Sequence, residues 1–151
     1  MTRHPEGGAF TENYRSDLSV SAAGFDGPRA ASTAIYFLLG RGEFSAFHRI
    51  KSDEMWHFYL GGPLHIVEID WAGRLSETIL GRDLARGESF THVVKAGNWF
   101  ASCPGPESEY SLVGCTVAPG FDFQDFEMAD RRELIGWFPE YAVVIERLTR
   151  G

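Results

Sequence analysis

Gly42-Glu43-Phe44-Ser45-Ala46-Phe47-His48-Arg49-Ile50-Lys51-Ser52-Asp53-Glu54-Met55-Trp56-His57-Phe58-Tyr59-Leu60-Gly61 is the stretch that decides the fold. Two apolar runs rich in β-formers, Phe44–Ile50 and Met55–Leu60, flank the polar turn Lys51-Ser52-Asp53. That pattern describes an antiparallel hairpin. Side chains alternate faces along a strand, so His48 and Ile50 point into one space. Glu54 opens the returning strand and points into the same space. A histidine and a carboxylate thus converge inside whatever this hairpin helps to enclose.

Similar strands continue outward on both sides. Ser32–Leu39 ends at Gly40-Arg41-Gly42, and Leu64–Trp71 alternates before Ala72-Gly73. Further short strands are expected near Leu75–Leu80, Phe90–Val94, Trp99–Ser102 and Tyr110–Val117. Short strands with frequent turn signals indicate an all-β barrel or sandwich. The C-terminus changes period. Asp130 and Glu133 form an N-cap pair, and Leu134, Ile135, Trp137 and Phe138 give an apolar face. Pro139 suits the first turn of a second helix reaching Leu148. Two short helices are therefore expected against the outside of the barrel. Phe10–Tyr14 reads as a strand that either pairs at the barrel edge or crosses to a partner subunit.

The chain has 151 residues and no repeat or linker, so residues 1–151 form one domain. Its net charge of −7 gives no electrostatic reason to bind a phosphate backbone, so nucleic acid is not an expected partner. No apolar run is long enough for a bilayer, so no membrane partner is expected either. The N-terminus lacks the apolar stretch of a signal peptide, and the expected location is the cytoplasm. Cys103 and Cys115 make no paired motif and read as buried thiols.

The spacing of Gly42, His48, Glu54 and Gly61 resembles the first motif of the cupin superfamily, with Ile50 where a second histidine is usual. Gly87 to Phe100 is similar to the second motif, with Lys95 at the proline position, Gly97 in place and Phe100 where the last histidine would stand. Longer phrases, among them His4-Pro5-Glu6-Gly7-Gly8, Ser52–Tyr59 and Tyr110–Phe121, resemble the fifth cupin family of single-domain proteins. The resemblance implies a cupin double-stranded β-helix, or jelly-roll barrel, that usually forms a homodimer. It implies a small-molecule pocket shaped like that of the sugar-nucleotide epimerase of the rhamnose pathway. In metal-binding cupins the motif residues hold a divalent metal. His48 and Glu54 are the candidate ligands here, but two of the four usual positions are apolar, and Ile50 and Phe100 offer no lone pair.

Within this frame His48 is the candidate general base. Glu54 orients it or accepts a hydrogen bond from ligand, unless it is tied up by Arg49 or Lys51. His57 should face away from Glu54 unless a bulge turns it inward. Tyr36 and Tyr110 offer hydroxyls as proton donors. Ile50, Trp56, Phe58, Trp99, Phe100 and Tyr110 are candidates to line the cavity, with core packing as the alternative for the aromatic ones. The Pro119–Glu127 segment is expected to close one edge of the barrel. His4 and Glu6 sit on a glycine-rich loop that either covers a pocket or makes a plain turn. Three functions fit these residues. One is an isomerase or epimerase acting on a sugar-like or carbonyl-containing metabolite. Another is a non-catalytic metabolite binder. The third is a metal-dependent oxygenase or isomerase with a degenerate site.

Overall fold

Phe37 and Leu39 are buried while their neighbours Tyr36 and Leu38 are not. This alternation sets one face of a strand toward a core, and it recurs around the molecule. The computed structural model describes residues 1–151. Its strands are β1 (Thr2–Arg3), β2 (Ala9–Arg15), β3 (Ser19–Val20), β4 (Arg29–Ala30), β5 (Thr33–Gly40), β6 (Ser45–Arg49), β7 (Asp53–Gly61), β8 (Leu64–Ile69), β9 (Leu75–Leu80), β10 (Thr91–Val94), β11 (Trp99–Pro104), β12 (Tyr110–Ala118) and β13 (Glu127–Met128). Two helices follow, α1 (Arg131–Trp137) and α2 (Ala142–Arg147).

The strands form two facing antiparallel sheets. One has the order β1-β2-β5-β12-β7-β10 and the other β13-β6-β11-β8-β9. A short β3-β4 pair stands apart. Consecutive strands β6 and β7 lie in different sheets, so the hairpin read from the sequence is instead a crossover between layers. Its consequence survives, because each strand turns its inward side chains to the shared interior. This is the jelly-roll architecture.

Two apolar cores result. Phe37, Leu39, Trp56, Leu64, Ile66 and Phe100 belong to the core that fills the barrel. Phe47, Val67, Ile69 and Trp99 leave the opposite face of the second sheet and meet Leu134 and Ile145 from the helices. Trp99, expected at the cavity, therefore lies under the helices, beside Trp137 and beneath the Arg49 guanidinium, whose carbon is 4.3 Å from its ring centre. The N-cap is as expected, with Asp130 Oδ1 accepting from the Glu133 amide at 3.0 Å. No helix is long and apolar enough to cross a membrane.

β2 pairs with β5 of its own chain. The loop before β2 bends into the barrel mouth on two glycines. Gly7 has φ +118°, and a Cβ there would meet the Phe44 carbonyl oxygen at 2.0 Å. Gly8 has φ +74°, with the Leu38 oxygen at 2.8 Å from the same construction. Neither place admits a side chain. The bend brings the Glu6 carbonyl against β6, where it accepts from the Ala46 amide at 2.7 Å and from Arg150 Nη2 at 3.0 Å. Replacing Gly7 by alanine is expected to lower unfolding stability by about 1–3 kcal/mol, the scale of backbone strain at such a position. Chemical denaturation of Gly7→Ala measures it, and an unchanged midpoint would show that the bend is not constrained.

Candidate functional site

His48 projects from the middle of β6 into the barrel and is 2% exposed. Its Nδ1 lies 2.7 Å from the Ala46 carbonyl oxygen. A carbonyl can only accept, so Nδ1 carries a hydrogen. Nε2 lies 2.8 Å from Glu6 Oε2, and both side chains are below 10% exposure. One proton must occupy that gap. Burial alone would pull the His48 pKa down, but the Glu6 charge and hydrogen bond together outweigh it and hold His48 above its ordinary value. Burial opposes the Glu6 charge too, yet the His48 charge and hydrogen bond hold Glu6 below the usual carboxylate range. The pair is an imidazolium facing a carboxylate.

Glu54, the second inward residue expected from the sequence, lines the same cavity. It has no cation of its own. Arg49 is paired with Glu127 at 2.8 Å, and Lys51 donates to the Gly24 carbonyl oxygen at 3.2 Å. Burial, followed by the repulsion of Glu6, pushes the Glu54 pKa up to about 7. The Cys115 thiol across from it is pushed well above its ordinary value by burial and then by Glu54. Two carboxyls in one small apolar space thus take different states. Glu6 keeps its charge because His48 answers it, and Glu54 holds a proton near neutrality.

The cavity encloses about 40 Å³. Ile35, Ile50 and Val117 supply aliphatic walls, and Phe10, Phe121 and Phe126 supply aromatic ones. No lysine or arginine lines it. His4 covers the mouth, packed edge-on or tilted within an aromatic cluster whose ring centres lie 4.8 Å (Phe10) to 6.4 Å (Phe121) away. Its Nδ1 accepts from the Glu6 amide at 3.3 Å, and burial lowers its pKa, so it is neutral. The segment bearing Phe121 and Phe126 is tied down by a buried ion pair, with Arg29 Nε and Nη2 at 2.7 and 2.8 Å from the Asp125 oxygens.

The remaining expected residues divide between core and surface. Phe100 places its ring centre 4.1 Å from that of His48 and forms the floor beneath it. Trp56 is buried one layer deeper, against Phe37 and Phe100, with its Nε1 unpartnered. Phe58 packs against the same core without reaching the cavity. Tyr36, proposed from sequence as a proton donor, is on the outer face, 40% exposed and edge-on to Tyr59. Tyr110 is also exposed at the far end of β12. His57 faces outward, its Nε2 2.9 Å from Thr116 Oγ1. The β7 bulge falls at Tyr59, after His57, so it cannot turn the imidazole inward. Glu6, and not Glu54, orients His48. The bend at Gly7-Gly8 was the available signal for this.

The four metal-ligand positions of the superfamily hold His48, Ile50, Glu54 and Phe100. Two lack donor atoms, His48 spends its Nε2 on Glu6, and no group of three His, Cys, Asp or Glu side chains has metal-site spacing. The pocket does not fit the metal.

A two-sheet jelly roll whose motif residues meet in its mouth defines a cupin. The sequence profile of the family described as Cupin superfamily (DUF985) matches residues 1–129, and the chain belongs to that family. A crystallised protein from Shewanella oneidensis is 40% identical, with TM-score 0.90, covering 99% of this chain and 90% of that one. A hypothetical protein from Leishmania major is 33% identical, with TM-score 0.92 and coverage of 99% and 93%. A dTDP sugar isomerase from Desulfovibrio desulfuricans G20 shares the fold at 15% identity, TM-score 0.58 and coverage of 80% and 83%. No curated protein matches the sequence at a significant level.

The Glu54 assignment has a measurable sign. Its folded pKa lies above the unfolded value of 4.5, so the folded state holds the extra proton and wild-type stability falls as pH rises from 4.5 to about 7. Glutamine keeps the neutral shape without titrating. The stability difference between Glu54→Gln and wild type, followed by urea unfolding, should shift in favour of the variant by about 2–3 kcal/mol between about pH 5 and about pH 8. A difference independent of pH would remove Glu54 as a buried neutral acid.

Proposed function

We propose that the chain is a cytoplasmic, homodimeric, small-molecule-binding cupin that moves a proton on a carbonyl-containing metabolite, an isomerase-type reaction. The carrying observation is a carboxyl poised at about 7 in an enclosed, mostly apolar cavity beside a fixed imidazolium–carboxylate pair. A group with a pKa near the working pH is best suited to both take and return a proton. In its ionised form Glu54 removes a proton from the carbon next to the carbonyl. The electron pair moves onto the carbonyl oxygen, giving an enolate. In an α-hydroxy carbonyl compound the hydroxyl proton then passes to that oxygen, and Glu54 returns its proton to the former carbonyl carbon as the carbonyl forms on the neighbouring one, which completes the isomerisation. His48 thereby changes role, from the base expected from sequence to the group that holds Glu6 ionised and in place, because both of its ring nitrogens are already engaged.

That same engagement favours a second reading, a non-catalytic binder in which His48 only holds the loop closed. Proton nuclear magnetic resonance in deuterated water separates the two. The enzyme reading predicts deuterium entering the position next to the carbonyl of at least one compound in a panel of small ketones and aldehydes. Glu54→Gln should slow that entry by about 10²- to 10⁴-fold, the usual worth of a positioned acid or base. Equal incorporation by the variant, or binding without incorporation, would favour the binder. Sedimentation of the chain as a single protomer would count against the dimer.

A further inference from the structure

The cavity has an unusual charge inventory for a small-molecule site. Its acidic groups are Glu6 and Glu54, and its titratable neighbours are His4, His48 and Cys115. No lysine or arginine lines it. The sole cation is His48, and that charge is already answered by Glu6 at 2.8 Å. An anionic ligand would therefore enter a space with a second carboxyl and no free positive group, at a large desolvation cost. A cation would meet the opposite situation. The Glu54 carboxyl is without an ionic partner, and Phe10, Phe121 and Phe126 line the same cavity. Aromatic walls beside a carboxylate are how proteins hold organic ammonium groups.

We infer that the ligand carries a small organic cation, an ammonium or amine group, seated between the Glu6 and Glu54 carboxyls and the rings of Phe10, Phe121 and Phe126. This rests on reading the cavity as the ligand site and specifies its substrate class. The volume of about 40 Å³ limits the enclosed part to about three water-sized groups. A larger ligand would leave the rest outside the mouth. Entry of the cation expels the Glu54 proton to solvent and leaves the carboxylate, the form that can accept a proton from carbon. The charge of the ligand thus switches on the base.

Binding can be read apart from turnover with three probes of similar size, namely ethylammonium, ethanol and acetate. Methyl resonances of Ile35, Ile50 and Val117 report occupancy of the cavity itself, as distinct from general attraction of cations to an acidic surface. Ethylammonium should bind at least about tenfold more tightly than ethanol or acetate. Its affinity should rise about tenfold between about pH 6 and about pH 8, as Glu54 ionises against Glu6, with His48 and Cys115 facing it and His4 neutral. Glu54→Gln, which keeps the neutral shape, should lose that pH dependence and most of the preference. Acetate binding as tightly as ethylammonium, or no methyl shift with any probe, would overturn the inference. Acetate binding together with Glu54-dependent deuterium incorporation would overturn the ligand class while leaving the proton-transfer reading intact.

Discussion

The contact between Glu6 and His48 is the constraint around which the barrel mouth is arranged. Burying either charge alone would cost several kcal/mol, so each requires the other. Their pairing fixes the N-terminal loop, and the loop brings His4 over the cavity. His4 in turn packs among Phe10, Phe121, Phe123 and Phe126. The same pair sets the state of Glu54. Burial already raises the pKa of the second carboxyl, and with the His48 charge committed to Glu6 it also sees a net repulsive neighbour, so it keeps its proton near neutral pH. One ion pair thus closes the pocket and tunes the group inside it.

The apolar replacements at the metal-ligand positions belong to the same design. Phe100 packs close to His48 with its ring tilted, and Ile50 forms part of the wall. Both exclude water and keep the dielectric low, and this makes the Glu6–His48 attraction strong and the neutral form of Glu54 favourable. A cupin scaffold that usually offers lone pairs to a metal here offers a proton, a carboxylate and aromatic faces. The dTDP sugar isomerase from Desulfovibrio desulfuricans shares the barrel, and at 15% identity the likeness is one of fold.

Much of the barrel could be read from the sequence because β-alternation is local. His48 and Glu54 lie within one stretch whose period of two assigns them to the interior, and the outward direction of His57 follows from the same period. The C-terminal helix cap was equally local. The misplacements have physical causes. Ser32–Leu39 is apolar almost throughout, so its phase cannot be read, and Tyr36 falls outside while Phe37 falls inside. Trp99 and Phe100 are both buried because the second sheet is covered on both faces, by the barrel core and by the helices. Glu6 could be placed on a loop able to cover a pocket, yet not against His48, for a different reason. It arrives from another part of the chain, and only the backbone conformations of Gly7 and Gly8 direct it to His48.

The central claim is that two buried glutamates in one cavity hold different protonation states because a single histidine serves only one of them. Carbon-13 resonances of glutamate side-chain carboxyls, followed through a pH titration, report each group separately. Glu54 should titrate with a midpoint near 7, well above the ordinary 4.5, and Glu6 below the usual carboxylate range. A Glu54 carboxyl that titrates at 4.5 like an exposed glutamate would contradict the claim.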